Sequence, residues 1–370
     1  MARTNPKRKS CPENVKDTLQ KMNYALVGET SAVQICRWTK NSIRGEGDCW
    51  KEKFYGISCA GCCQFSPAVM WCENQCLHCW RPIELNLGTE LPKVDDPVEI
   101  LDGIVEARKK LLEGFRGRKD IDLKKFEECL EPKLYTTSLS GEPTLYPRLG
   151  EMFTEIRRRG AVSFLVTNGL NPDVIRNFSD EELPTQITVS TNAPNKKLFD
   201  IWHRSTKPNA WEVFNETLDV IREMKGRVRR VIRLTLVDVG EEGKFNEATN
   251  MTGENVGEYC NLIRKAEPDF VHVKGYKSVG YARARMGYDN QPWFNSVKDS
   301  AIKICENLNS GKVHALRGGV QPPCDWKGSS QSDGGLADEN VGEYEVAGED
   351  ERSCVVCISR KGAKLKIEKC

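Results

Sequence analysis

The sequence predicts an α/β protein, a partial (β/α)6 barrel carrying a cysteine-rich N-terminal extension. Three observations carry this expectation. Six apolar strand-like runs recur along the chain: AVMWC (68–72), KLYTTSL (133–139), VSFLVTN (162–168), QITVS (186–190), VIRLTLV (231–237) and FVHVKGY (270–276). Between them, apolar residues spaced for a 3.6-residue turn predict helices at roughly 96–116, 148–159, 211–225, 254–266 and 295–309. Strand and helix alternating in this way give parallel strands joined by right-handed crossovers. The third observation is that polar, chemically capable motifs directly follow the strands, where such sheets place their active groups.

Composition sets bounds on the rest. With 370 residues, 39% hydrophobic and 29% charged, the chain can bury a substantial core. No run of about 18 apolar residues is present to span a bilayer, and the basic N-terminus MARTNPKRKS lacks the apolar stretch of a secretory signal. A cytoplasmic protein with no membrane partner is expected. A formal net charge of only +2 means that any nucleic-acid contact must come from a local basic surface. Half of the 16 cysteines fall between residues 36 and 79, which in a reducing compartment points to metal or redox chemistry. Cys129, Cys260 and Cys305 stand alone in periodic segments and read as small buried residues.

The first strand run leads into Cys72-Glu73-Asn74-Gln75-Cys76-Leu77-His78-Cys79-Trp80-Arg81. A C-x3-C-x2-C loop supplies three thiolates to a cubane that ordinarily takes four, so one iron stays open. A structural zinc site with His78 as fourth ligand is the competing reading, but zinc usually uses C-x2-C pairs, and four groups this close would strain to reach one ion. The loop resembles the cluster loop of radical S-adenosylmethionine (SAM) enzymes, whose open iron chelates SAM, and Trp80 fits a shielding position. Ser140-Gly141-Glu142-Pro143, after the second strand, resembles the loop that receives the SAM amino group there, with Gly141 allowing close approach and Glu142 a counter-charge. Asn168 and Ser190 close later strands and suit hydrogen bonds to the SAM ribose and carboxylate.

Cys36, Cys49 and Cys62 are separated by twelve intervening residues each time, and nine lie between Cys62 and Cys72. A second open cluster and scattered structural cysteines are both compatible with that spacing. The whole pattern, with Asp48-Cys49-Trp50-Lys51-Glu52-Lys53-Phe54-Tyr55-Gly56-Ile57, CCQFSPAVMWC (62–72), SLSGEPTLYP and PDFVHVKGYKSVGYARARM (268–286), resembles the archaeal 4-demethylwyosine synthase family over about residues 20–320. The resemblance implies a lyase-type radical SAM enzyme that joins two carbons of pyruvate to N1-methylguanosine beside the anticodon of phenylalanine tRNA. It implies two 4Fe–4S clusters with SAM, the first on Cys72, Cys76 and Cys79, the second on Cys36, Cys49 and Cys62, and Lys51 as the Schiff-base amine. Desolvation near another cation such as Lys53 is expected to lower the Lys51 pKa. Eukaryotic relatives carry a flavodoxin-like domain that does not fit here, so an external donor such as ferredoxin or flavodoxin is implied.

The expected organisation is a lead-in at 1–30, a radical SAM barrel at 31–320 that includes the second-cluster segment 31–65, and a tail at 321–370. The tail combines a solvated acidic stretch (327–353) with a terminal hairpin of CVVCISR and AKLKI. Cys59 and Cys63 compete with Cys62 as ligands, and Cys354, Cys357 and Cys370 lie outside the recognised pattern. Basic stretches KGRVRRVIR (225–233), RRR (157–159) and KGYKSVGYARAR (274–285) are the candidate RNA surfaces, the last foremost. A tRNA methylthiotransferase and a non-catalytic iron–sulfur or zinc nucleic-acid-binding module are the alternatives. The former places its extra cysteines in a separate upstream domain, and the latter has no need of SAM-type motifs.

Overall fold

The computed structural model describes residues 11–310 and 343–367. Ten strands form one sheet: β1 (Ala25–Val27), β2 (Ser31–Gln34), β3 (Cys62–Ser66), β4 (Leu134–Thr137), β5 (Val162–Thr167), β6 (Gln186–Thr191), β7 (Arg229–Leu236), β8 (Phe270–Gly275), β9 (Tyr344–Asp350) and β10 (Val355–Arg360). Their order is β1-β2-β3-β4-β5-β6-β7-β8-β10-β9. β3 to β8 are parallel and consecutive, so they make the six-stranded partial barrel; β1–β2 and β10–β9 continue it antiparallel at its two edges.

The expected helices form where periodicity meets a start signal. α4 (Pro97–Leu112) opens with proline in its first turn and Asp96 accepting from the Val98 and Glu99 amides. α10 (Gly253–Ala266) begins with a Thr252–Asn255 capping box. α6 (Leu149–Arg158), α9 (Ala210–Glu223) and α12 (Phe294–Asn309) complete the set. Shorter helices precede or punctuate them: α1 (Glu13–Lys21), α2 (Arg37–Ile43), α3 (Trp50–Tyr55), α5 (Leu123–Leu130), α7 (Pro172–Arg176), α8 (Lys196–His203) and α11 (Ala282–Met286). Among the described residues no helix is long and apolar enough to cross a membrane.

Three expectations are corrected. The first barrel strand is Cys62–Ser66, not AVMWC. Ala68, Val69, Met70 and Trp71 are buried, but as a packed loop with Met70 at φ +71°, a left-handed backbone no strand sustains. A short apolar run reports burial before it reports strand. The terminal hairpin pairs β10 with β9, not with AKLKI. Part of the expected acidic loop is therefore strand, and the remainder, 327–342, lies outside the described residues. AKLKI instead packs Leu365 and Ile367 under the barrel, the Ile367 amide donating to the Tyr55 carbonyl at 2.9 Å.

Strand alternation divides the core. Residues such as Leu165, Ile187, Val189, Ile232, Leu234, Val271 and Val273 face the helices. Cys62, Leu134, Val162, Phe164, Val231 and Phe270 face the barrel interior, closed below by Phe54 and Tyr55 of α3. In register on that interior face, nearer the strand ends, come Ser190, Arg233 and His272, then Thr235 and Lys274. Apolar below and polar above, this interior positions the site.

Candidate active site

The loop after β3 holds Cys72, Cys76 and Cys79 through its backbone. The Cys72 amide donates to Gly88 O at 2.9 Å, Gln75 to His203 O at 3.0 Å and Leu77 to Trp202 O at 3.1 Å. Arg285 clasps the loop from the far end of the chain: its guanidinium donates to the carbonyls of Leu77, Cys79 and Arg81 and pairs with Glu84. Gly141, at φ +71°, lies against the same loop, where a Cβ would stand 1.9 Å from Ala68 O and 2.7 Å from Trp71 O. Only glycine permits that approach.

The three cysteines line a cavity of about 360 Å³ together with Ser140, Gly141, Glu142, Asn168 and Ser190. Pro143 does not line it; it starts a short 3-10 turn behind the wall. Burial pushes the thiols of Cys72, Cys76 and Cys79 up, so they ionise only against a strongly cationic partner. His78 is not directed as a fourth ligand: its Nδ1 is 3.1 Å from Asn192 Nδ2, and burial brings it down to about 4. Among the described residues no three His, Cys, Asp or Glu side chains converge on a single-ion position. The wall retains buried polar atoms with no partner, namely Ser190 Oγ, both amide atoms of Asn74 and Arg233 Nε. A polar ligand in this cavity would satisfy such atoms. Three thiols and an unsatisfied polar wall suit a three-ligand iron–sulfur cluster with a polar molecule beside it.

Glu142 has a different position from a free counter-charge. Its carboxylate accepts from Thr144 N (3.1 Å), Thr144 Oγ1 (2.7 Å), Thr167 Oγ1 (2.7 Å) and Asn168 N (2.8 Å), tying its loop to the end of β5. Burial, then the nearby Glu73, raises it to about 7. Glu73, not singled out from sequence, is buried and accepts from Asn168 Nδ2 at 3.1 Å and from Asn171. A carboxylate between two cysteines carries no sequence signal of its partners.

The second cysteine set also meets. Cys36 precedes α2, Cys49 precedes α3, and Cys62 opens β3. Cys49 and Cys62 both bear electrostatically on Cys36, and all three on Lys51. Lys51 Nζ lies 3.5 Å from Cys62 Sγ and 5.9 Å from the Phe164 ring centroid. Strand alternation separates the competitors: Cys62 faces inward, whereas Cys63 faces the helices beside Arg108. Cys59 stays close, its free thiol hydrogen-bonded with that of Cys49. The electrostatic expectation for Lys51 is corrected. Burial works to lower its pKa, but the thiols of Cys62, Cys49 and Cys36 outweigh it and raise it. Lys53 is not the neighbouring cation, since its ammonium donates to Glu349 O on the exposed side.

Two basic stretches prove to be internally occupied. Arg157 binds carbonyls of Glu181 and Leu183, while Arg158 and Arg159 pair with Glu155. In 225–233, Lys225 pairs with Glu267, Arg227 with Asp180 and Arg230 with Asp269; Arg229 stacks on Tyr55 and Phe270, and Arg233 points into the barrel. In 274–285, Lys274 and Lys277 line the cavity, Tyr276 is buried and Arg285 holds the cysteine loop, leaving Tyr281 and Arg283 outward. Sequence reasoning missed the next exposed aromatics: Tyr288 (57% exposed), under the Arg283 guanidinium, and Trp293 (74%).

Known proteins resemble this arrangement. A family described as wyosine base formation matches residues 265–313. The SAM-dependent tRNA 4-demethylwyosine synthase of Pyrococcus abyssi is 39% identical over 302 residues, 80% of this chain and 84% of that one. The enzyme of the same name from Methanocaldococcus jannaschii is 32% identical over 313 residues, 82% and 92% of the two chains. Among solved structures, archaeal TYW1 superposes with TM-score 0.67 at 26% identity, covering 96% of this chain and 99% of that one. TYW1 with a lysine–pyruvate adduct bound superposes at 0.74 and 27% identity, covering 97% and 99%.

Proposed function

This chain belongs to the SAM-dependent tRNA 4-demethylwyosine synthase family, and from that membership we propose how its residues divide the work. It is a radical SAM enzyme of wyosine formation in tRNA, a lyase-type activity using SAM and a 4Fe–4S cluster. In our reading the substrates are N1-methylguanosine next to the anticodon of phenylalanine tRNA and pyruvate, which contributes two carbons.

The observation that carries the division of roles is the Lys51 side chain, inside the barrel and 3.5 Å from Cys62, on the interior that leads to the cavity of Cys72, Cys76 and Cys79. Cys72, Cys76 and Cys79 hold the cluster that leaves an iron for SAM. When bound there, SAM supplies a 5′-deoxyadenosyl radical on one-electron reduction. Ser190 and Asn74 offer polar atoms to SAM, and Glu142 keeps the Ser140–Pro143 loop and Asn168 in place. Lys51, once deprotonated, condenses its amine with the pyruvate ketone and releases water, holding the two-carbon donor as an imine. Cys36, Cys49 and Cys62 hold a second 4Fe–4S cluster beside that amine. The base enters through the barrel mouth, splayed from its loop, with exposed Tyr281, Tyr288 and Trp293 beyond β8 available to stack on neighbouring bases. Electrons come from a separate carrier such as ferredoxin or flavodoxin.

The test incubates reduced, reconstituted protein with SAM, pyruvate and tRNA containing N1-methylguanosine, and reads nucleosides by mass spectrometry. The tricyclic base is expected. Lys51→Ala is expected to lose it by at least about 100-fold while 5′-deoxyadenosine still forms. Undiminished tricycle from Lys51→Ala removes the imine from the mechanism.

A further inference from the structure

Cations buried in this protein are generally answered by an acceptor. Arg230 pairs with Asp269 at 2.6 Å, Arg360 with Glu267 and Glu343, and Arg108 donates to the carbonyls of Cys129 and Ala60. Arg81, which also lines the cavity, has no hydrogen-bond acceptor among the described residues and is covered by the Trp80 and Tyr24 rings instead; Arg233 and Lys274 lack such an acceptor as well. They project from neighbouring strands onto the interior face, Arg233 in register with Ser190 and His272, Lys274 in register with Thr235. Both line the cavity, yet neither has a carboxylate within ion-pair distance among the described residues, and Arg233 Nε is buried without a partner. Burial, and after it the Arg233 charge, draws Lys274 down to about 8, against a smaller opposing pull from Cys49, Cys354 and Asp350.

A wall of this kind is built for an anion. Its position selects which one. Lys274 Nζ stands 5.4 Å from the ring of Trp50, the residue before Lys51, and that ring lies 4.8 Å from His272, between the two cations in sequence. Lys51 Nζ lies over Phe164, two residues before the cavity-lining Val166 on the same interior face. The cations therefore bridge the Lys51 amine and the cavity of the three-cysteine loop. We propose that Arg233 and Lys274 form a carboxylate clamp that recognises the α-keto acid condensed on Lys51, and so make the carboxylate a requirement for the carbon donor. This rests on the imine reading above. The carboxylate of a keto acid is bonded directly to the carbon that Lys51 attacks, so clamp and amine grip one small molecule at both ends. The methionyl carboxylate of SAM presents the same chemistry from the other side of the cavity, and the experiment separates the two.

The protein is incubated with pyruvate or with its uncharged methyl ester, reduced with cyanoborohydride, and the label on Lys51 quantified by peptide mass spectrometry. In Arg233→Gln and Lys274→Met the pyruvate concentration for half-labelling is expected to rise about tenfold or more, with the ester little changed. Arg233→Lys, which keeps the charge, is expected to recover part of the loss and to show that the site is folded. Equal sensitivity of pyruvate and ester, or no change with either, overturns the clamp. Unchanged pyruvate labelling with weakened SAM cleavage assigns the cations to SAM and likewise overturns it. Absence of any Lys51 label in the wild-type protein instead counts against the imine reading itself.

Discussion

Cys72, Cys76 and Cys79 occupy one loop of consecutive residues, whereas Cys36, Cys49 and Cys62 come from the starts of two helices and a strand. The first set is brought together by a short chain closure, whose entropy cost is small. The second converges only after α2, α3 and the edge strands β1–β2 have packed on β3. The local loop is clasped by a distant residue, Arg285, whereas the dispersed set surrounds one of its own neighbours, Lys51, two residues after Cys49. The difference teaches that a compact motif announces its ligands, while a dispersed one depends on which way each side chain is turned.

The sharpest way to break this comparison is to remove one thiol from each set. Cys76→Ala is expected to abolish 5′-deoxyadenosine formation, beyond the roughly 10–100-fold that loss of a mere supporting contact costs. Cys49→Ala is expected to retain that cleavage while losing the tricyclic base, with iron near four per chain in place of about eight. If Cys49→Ala keeps full product and full iron, the dispersed set is structural. Next in size is a contrast within β3. Cys62→Ala is expected to lose the second cluster, whereas Cys63→Ala, facing α4 and Arg108, should cost about 1 kcal/mol of stability in denaturant unfolding and no iron. Iron lost from the Cys63 variant instead would exchange the two assignments. The smallest effect concerns the mouth. Trp293→Ala is expected to weaken tRNA binding by roughly 5-fold in a filter or anisotropy assay, at the low end of base stacking, with SAM cleavage untouched.

Much of the fold was legible because periodicity survives in local sequence: five helices form within a few residues of their expected bounds. The first strand was misplaced because AVMWC is apolar for another reason, packing beneath the cysteine loop with Met70 in a left-handed turn. The basic stretches misled in the same manner. Five cations in KGRVRRVIR look like one surface, but alternation along β7 sends Arg230 to Asp269 on the helix side and Arg233 into the barrel. Trp293 and Tyr288 were passed over because an exposed aromatic is indistinguishable from a core one until its surroundings are known.

From sequence alone came the alternating α/β plan, the three-thiol loop with its open corner, the order of polar motifs after strands, and the kinship that those motifs carry. These are properties of adjacent residues, where spacing and residue type suffice. Tertiary structure alone decided that Cys62 and not Cys63 turns inward, that Glu142 is held by four donors, that Arg285 serves the cysteine loop, and that Arg233 and Lys274 line one cavity with no carboxylate in ion-pair reach of either among the described residues. Facing and pairing depend on register and on what packs opposite, and both are set by residues far away along the chain.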